Sequence, residues 1–274
     1  MLQLSNKTPF ITDLAIFPDK EGVDTAIAVI KATFDILPDN IRVSEKQLPI
    51  IKADEYWGEP SNSSLKYASE ITLPKPVTDI VMIGHAYSPG GNPIDAEYVS
   101  LKVGRYGKTV QVLGNRYWKR SFGIYSMTHP EPFVKIPLIY EKAFGGVDVH
   151  RSDKNKIEYE ARNLVGTGFK MRNGEKEGYG LKLPNIEDPE NLVKSWRDQP
   201  TPAGFGYIAS AWEPRKKFAG TYDAVWQKSR APYLPEDFDP RFFNCAPPDL
   251  ITHEYLQGGE EVFIKNASPH ELIT

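Results

Sequence analysis

The stretch LPEDFDPRFFNCAPPDL, residues 234–250, gathers Glu236, Asp237, Asp239, Asp249, Arg241 and the chain's one cysteine, Cys245, with His253 just beyond. Paired carboxylates can work as general acid and base when their environments push their pKa values apart. A hydrolase built here would use Asp237 and Asp239 with His253. Asp237 and Asp239, however, flank a single residue in a proline-rich turn. Carboxylates in such places accept backbone amides or pair with a neighbour such as Arg241. The spacing favours this second reading, a corner held together by its charges.

Other chemistries find less support. Cys245 and His253 lie eight residues apart, with no second cysteine and no HExxH pattern, so no metal centre is expected. No glycine loop shaped for an oxyanion accompanies Cys245, no GxSxG elbow is present, and a single cysteine usually behaves as a small buried hydrophobe. GHAYSPGGNP (84–93) is glycine-rich after a strand-like run. It lacks Lys-Ser or Lys-Thr, and its prolines stop the helix that a phosphate site needs. VGTGF (165–169) likewise reads as a turn. No catalytic residue, metal ligand or cofactor is therefore assigned.

The whole chain sets wider bounds. A net charge of -3 over 274 residues gives no reason to expect nucleic acid or an anionic membrane as partner. One cysteine cannot form an internal disulfide and fits a reducing compartment. MLQLSNKTPF lacks the basic-then-apolar pattern of a signal peptide, and apolar runs such as Ala26 to Ile30 are too short to span a bilayer. The expected location is the cytoplasm.

The elements that must position these residues are mostly strands. The 23 prolines and 21 glycines force turns, while aromatics at 12% and many β-branched residues favour strands. Together they predict an α+β, mainly β fold: antiparallel sheets, sandwich- or barrel-like, with few short helices and long ordered loops. VDTAIAVIKATFDI (23–36) and DIVMIGHAY (79–87) read as well-buried strands, FVKIPLIYE (133–141) as an edge strand or bulge, and EEVFIKN (260–266) as a late strand. In YVSLKVGRYGKTVQVLG (98–114), Val99, Leu101 and Val103 alternate with polar residues, as do Val110 and Val112. That is a hairpin turning at Arg105, Tyr106 and Gly107. Two helices are predicted, one over 188–198 with Asp188 as its cap and one over 221–230 with Thr221 as its cap.

The glycine-rich span 145–185 suggests a mobile loop or a seam after Gly146. That seam would part a β-rich region, 1–146, from a signature-bearing region, 147–274; one continuous domain is the alternative. Trp196, Trp212 and Trp226 all fall in the second region, beside Phe205, Tyr207, Phe218 and Tyr222. Such density makes either an aromatic core or a contact surface of the kind that supplies binding hot spots. Arg215, Lys216 and Lys217 read as a solvated turn. The candidate partner-binding residues are Trp212, Arg215, Tyr222, Trp226, Asp237, Asp239 and Arg241.

Read together, the motifs become specific. KATFDI (31–36), ADEYWGEPSNSSLKY (53–67), VMIGHAYSPGGNP (81–93), IPLIYEKAFGG (136–146), KLPNIEDP (182–189), YLQGGEEVFIKNASP (255–269) and above all the block from Pro202 to Leu250 occur in order. This series resembles the bacterial family catalogued as domain of unknown function 2169, over nearly the whole chain. The resemblance implies a cytoplasmic adaptor or chaperone for a type VI secretion effector. Such a protein would help load the effector onto the spike, a PAAR or valine-glycine repeat protein. It carries over no catalytic residues. NLVGTGF (163–169) departs from the proline-bearing glycine loop the resemblance leads one to expect, as does the end of the chain at Thr274, where a further β-rich segment is expected.

Overall fold

The computed structural model describes residues 2–37, 40–122, 124–148, 157–169 and 180–269. Short strands joined by sharp turns dominate these residues, and no sheet among them closes into a barrel. Strand β1 (Ile11–Pro18) pairs antiparallel with β2 (Asp24–Lys31), and β3 (Phe34–Ile36) with β4 (Ile41–Val43). Next, β5 (Glu55–Tyr56) and β6 (Leu65–Tyr67) pair with each other, and β7 (His85–Tyr87) follows. The long hairpin is β8 (Ala96–Val103) with β9 (Tyr106–Leu113). After it come the β10 (Trp118–Ser121) and β11 (Ile124–Met127) pair and β12 (Lys135–Pro137), which returns to β7. Strands β13 (Phe144–Gly145) and β14 (Thr167–Gly168) make a two-residue parallel contact. Finally β15 (Ile186–Glu187) and β16 (Val262–Lys265) complete a four-stranded sheet ordered β15-β9-β8-β16. Among the described residues one short α-helix, α1 (Ala224–Ser229), forms between β15 and β16 in the chain.

The hairpin's alternation explains the core. Every second residue of a strand points to the same face, so Val99, Leu101, Val110 and Val112 all turn inward and are buried. Each such burial stabilises by about 1.5–3 kcal/mol. Ala86, Ile136, Tyr140, Ile186, Phe205, Trp212 and Leu250 close over them. Sheet and core thus draw on residues from both sides of Gly146. Trp118, Leu183 and Val193 form a second cluster.

Several local expectations are corrected. The hairpin turns at Gly104 and Arg105, with Tyr106 already in β9. The run 79–87 is a strand only over β7, Asp79 forming an isolated bridge to Ile251. The run 23–36 is not well buried. It breaks between β2 and β3, and its even-numbered residues face solvent because a two-stranded ribbon has nothing over its outer side. Phe34, Ile36, Ile41 and Val43 consequently share one exposed face. No helix forms over 188–198. Acidic side chains take the amides a helix would need: Asp188 Oδ1 accepts from Glu190, Asp198 Oδ2 from Lys194 and Ser195, and Glu187 Oε2 from Val193. The later helix does form, with Asp223 rather than Thr221 as its cap.

Of the span expected to be a loop, residues 149–156 and 170–179 lie outside those described, and the part between buries Glu160 and Asn163. Asn163 is fully buried and donates from Nδ2 to the carbonyls of Tyr140 (2.8 Å) and Phe144 (2.9 Å). Gly145, at φ 151°, lies so close beneath it that an added Cβ would sit 2.3 Å from the Asn163 carbonyl oxygen. Gly145→Ala is expected to lower stability by about 2–3 kcal/mol, read as a shift in urea midpoint. An unchanged midpoint would show that this crossing relaxes freely.

Candidate protein-contact site

The opening stretch folds as a braced corner. Asp239 precedes the 3-10 turn Pro240–Phe243, where Pro240 has no amide needing a partner and Asp239 Oδ1 accepts from the Arg241 amide at 2.9 Å. The same carboxylate pairs with the Arg241 guanidinium, Nη2 to Oδ2 2.5 Å, and that guanidinium lies 4.4 Å from the Phe218 ring centroid. Asp237 closes a longer loop. Its Oδ1 accepts from the Thr221 amide at 2.9 Å and its Oδ2 from the Thr221 hydroxyl at 2.7 Å. Gly220, at φ 76°, makes that approach feasible, since a Cβ there would fall 2.9 Å from Pro235 Cβ.

These bonds decide the chemistry. The Thr221 hydroxyl and amide hold the Asp237 carboxyl below its ordinary value, and the Arg241 side chain does the same for Asp239. Neither is poised to give up a proton at neutral pH. His253 lies against a different element: its amide donates to the Tyr106 hydroxyl at 3.0 Å and its ring meets Tyr106 edge-on. Among the described residues no hydrogen bond or ion pair links it to Asp237 or Asp239, so the contacts of a hydrolytic trio are missing. Asp239→Ala is expected to cost about 1 kcal/mol, the value of a lost cap, as a lower melting temperature. An unshifted transition would return Asp239 to a purely functional role.

The hydrophobic anchor of the corner is Phe238, 4% exposed, with half-buried Phe242 and Phe243 packed on it at centroid distances of 5.6 and 5.3 Å. The turn Pro240–Phe243 leaves both on the flank of Phe238.

Apart from Asp237, Asp239 and Arg241 in the corner, the candidate contact residues divide into two groups. Tyr222 and Trp226 lie at the surface with Val225 and Tyr233; Tyr222, Val225 and Tyr233 are 54%, 71% and 43% exposed. Trp226 is half-buried, meets Tyr222 edge-on at 4.7 Å and donates from Nε1 to the Tyr233 carbonyl at 2.8 Å, so the patch has a fixed shape. The sequence already sets Val225 at helical spacing with Tyr222 and Trp226, and the structure leaves it the most exposed of the patch. Trp212 and Arg215 have their contacts elsewhere, in the core and beneath Phe242. Trp212 is 4% exposed and packs edge-on against Tyr140 in the core. Arg215 is half-buried, donating to the Ile208 carbonyl at 2.6 Å and the Phe242 carbonyl at 3.0 Å. It is a strut within the supposed solvated turn, whereas Lys216 and Lys217 are exposed.

Sequence reasoning also missed a buried charged cluster. Asp79 Oδ2 accepts from Lys75 Nζ at 2.6 Å and from the Cys245 amide at 3.0 Å, and Oδ1 accepts from Asn244 Nδ2 at 3.0 Å. Lys75 Nζ also lies 3.3 Å from Cys245 Sγ. The Lys75–Asp79 spacing was a weak local signal; Cys245 lies 166 residues beyond Asp79. Burial pushes the Cys245 thiol up to about 11 against the pull of Lys75, so it stays protonated and unreactive near neutrality. Among the described residues no group of three or more His, Cys, Asp or Glu could hold a metal ion. No helix among them is long and apolar enough to cross a membrane.

Comparison with known proteins agrees with the motif series. The model of a family described as an uncharacterized protein conserved in bacteria (DUF2169) matches residues 21–273. The chain belongs to the DUF2169 family. No curated protein and no solved structure matches it. The braced corner, the exposed patch on α1 and the Lys75–Asp79–Cys245 cluster all fall within the part matched to DUF2169.

Proposed function

We propose that this DUF2169 member is a cytoplasmic adaptor that binds a type VI secretion effector and helps load it onto a PAAR or valine-glycine repeat spike protein. The observation that carries the reading is the patch of Tyr222, Val225, Trp226 and Tyr233, exposed aromatic and aliphatic area on a corner braced by Asp237, Asp239 and Arg241. Rigid aromatic anchors of this kind lose little entropy on binding and dominate interface energetics. The type VI assignment rests on the motif resemblance, and a partner bound before export accounts for the cytoplasm.

The test is co-purification of the chain with the effector and spike tip of its own gene neighbourhood, followed by effector secretion in its absence. Adaptor function predicts a stable complex and loss of secreted effector. Val225→Glu should weaken that complex at least tenfold by setting a charge in the apolar patch, without lowering the melting temperature, because Val225 is 71% exposed. Normal effector solubility and secretion without the chain would end the proposal.

A further inference from the structure

A recess of about 280 Å³ opens where residues 200–203 meet the end of the signature block. Its walls include the rings of Pro202, Pro214, Pro247 and Pro248, apolar and rigid. The cations that line it are already bonded. Lys108 Nζ donates to Asp249 Oδ2 at 2.6 Å. Arg162 holds Glu160 through two bonds, at 2.7 and 2.8 Å, and also donates to Thr201 Oγ1 at 3.1 Å.

The acceptors are not so satisfied. Tyr140 lines the recess at 4% exposure, and its hydroxyl makes no hydrogen bond among the described residues. Burial raises the pKa of that phenol, and the Asp249 charge, also in the lining, adds to the shift. Asp188 and Glu213 line the recess with no cationic partner among the described residues, Asp188 having only Oδ1 engaged, by the Glu190 amide at 2.9 Å. An anion here would meet three carboxylates with both cations occupied. A purely apolar group would cover the phenol and the carboxylates without satisfying them. A donor-rich cation on an aliphatic stem fits both the walls and the acceptors.

We propose that this recess captures an arginine or lysine side chain of a partner polypeptide, its stem along the proline rings and its N–H groups on Asp188, Glu213 and the Tyr140 hydroxyl. The proposal deepens the adaptor reading by naming the partner's anchor, and rests on it for the partner's identity alone.

The test uses the full chain and the peptide N-acetyl-Gly-Arg-Gly-amide, with a citrulline version as control, followed by calorimetric titration and amide chemical-shift mapping. Citrulline keeps the shape of arginine and removes the charge. The arginine peptide should shift amides around residues 140, 188 and 213 saturably, and the citrulline peptide should bind about tenfold more weakly. The double variant Asp188→Asn with Glu213→Gln, isosteric and checked for an unchanged melting temperature, should lose a similar factor. Equal binding of the two peptides, binding unaffected by the double variant, or no saturable shift overturns the proposal. Because the probe is a free peptide, its failure leaves effector loading to be judged separately, and failed loading leaves a measured arginine site intact.

Discussion

Asp79→Ala is expected to remove about 3–5 kcal/mol of stability, because it strands a largely buried charge together with the donors gathered on its partner. The Asp79 side chain is 7% exposed and accepts from the Lys75 ammonium, the Cys245 and Ala246 amides and the Asn244 side chain. Removing it leaves Lys75, 31% exposed, without its counter-ion, and takes from the Cys245 and Ala246 amides the carboxylate they donate to. Lys75→Met should cost less, since Asp79 would keep its amide and Asn244 donors. Urea denaturation of both variants measures the difference. A loss below about 1 kcal/mol for Asp79→Ala would mean that water reaches the cluster in solution.

The same carboxylate predicts a pH effect whose sign is fixed. Burial alone would raise the Asp79 pKa, but Lys75 and the hydrogen bonds outweigh it and bring the value below the ordinary one. A carboxyl depressed in the folded state contributes stability above its unfolded value, roughly 3.9, and loses it as pH falls through the folded value. The native chain should therefore lose stability as pH drops below about 4, and Asp79→Asn should lose less over that window. Melting temperatures of the two proteins across the acid range provide the check; parallel curves would remove Asp79 from the account.

Glu187→Ala is the second large effect, about 3–5 kcal/mol. Arg116 and Glu187 form an ion pair with side chains 7% and 1% exposed, and Glu187 Oε2 also accepts from the Val193 amide at 2.8 Å. Burial pushes the Glu187 carboxyl up against the pull of Arg116, so the pair is costly to hold as well as to break. Truncating one partner leaves a buried guanidinium that, among the described residues, is bonded only to the Pro184 carbonyl. Arg116→Met with Glu187→Leu should recover much of the loss, because it removes both charges and fills the space. The single variant should also speed exchange of the Val193 amide, since Glu187 joins the main sheet through β15 to the Trp118–Leu183–Val193 cluster. Equal stability of single and double variants would show that the cost lies in lost packing.

What was legible in the sequence follows the distance between interacting groups. The β8–β9 hairpin could be read because its alternation and its turn lie within one continuous segment. The Asp239–Arg241 pair could be read because its members are two residues apart. The helix over 188–198 was misread because Glu187, just outside it, takes an amide the helix would need. Which of the three neighbouring phenylalanines anchors the corner is not legible in the sequence, because a short 3-10 turn, absent from any periodicity, decides which of them is buried.

The sequence by itself determined a mainly β chain, a corner braced by its own acids and a motif series specific enough to place the chain in one bacterial family. Each rests on short-range chemistry: strand alternation, carboxylates capping nearby amides, and residues in fixed order. Only the tertiary structure decided that Trp212 and Arg215 have their contacts in the core and beneath Phe242 while Tyr222 and Val225 are exposed. It alone brought Lys75 and Asp79 to Cys245, and left Tyr140, Asp188 and Glu213 with acceptors to spare around one recess. Burial and pairing between residues far apart in the chain are settled by packing, and no local pattern encodes them.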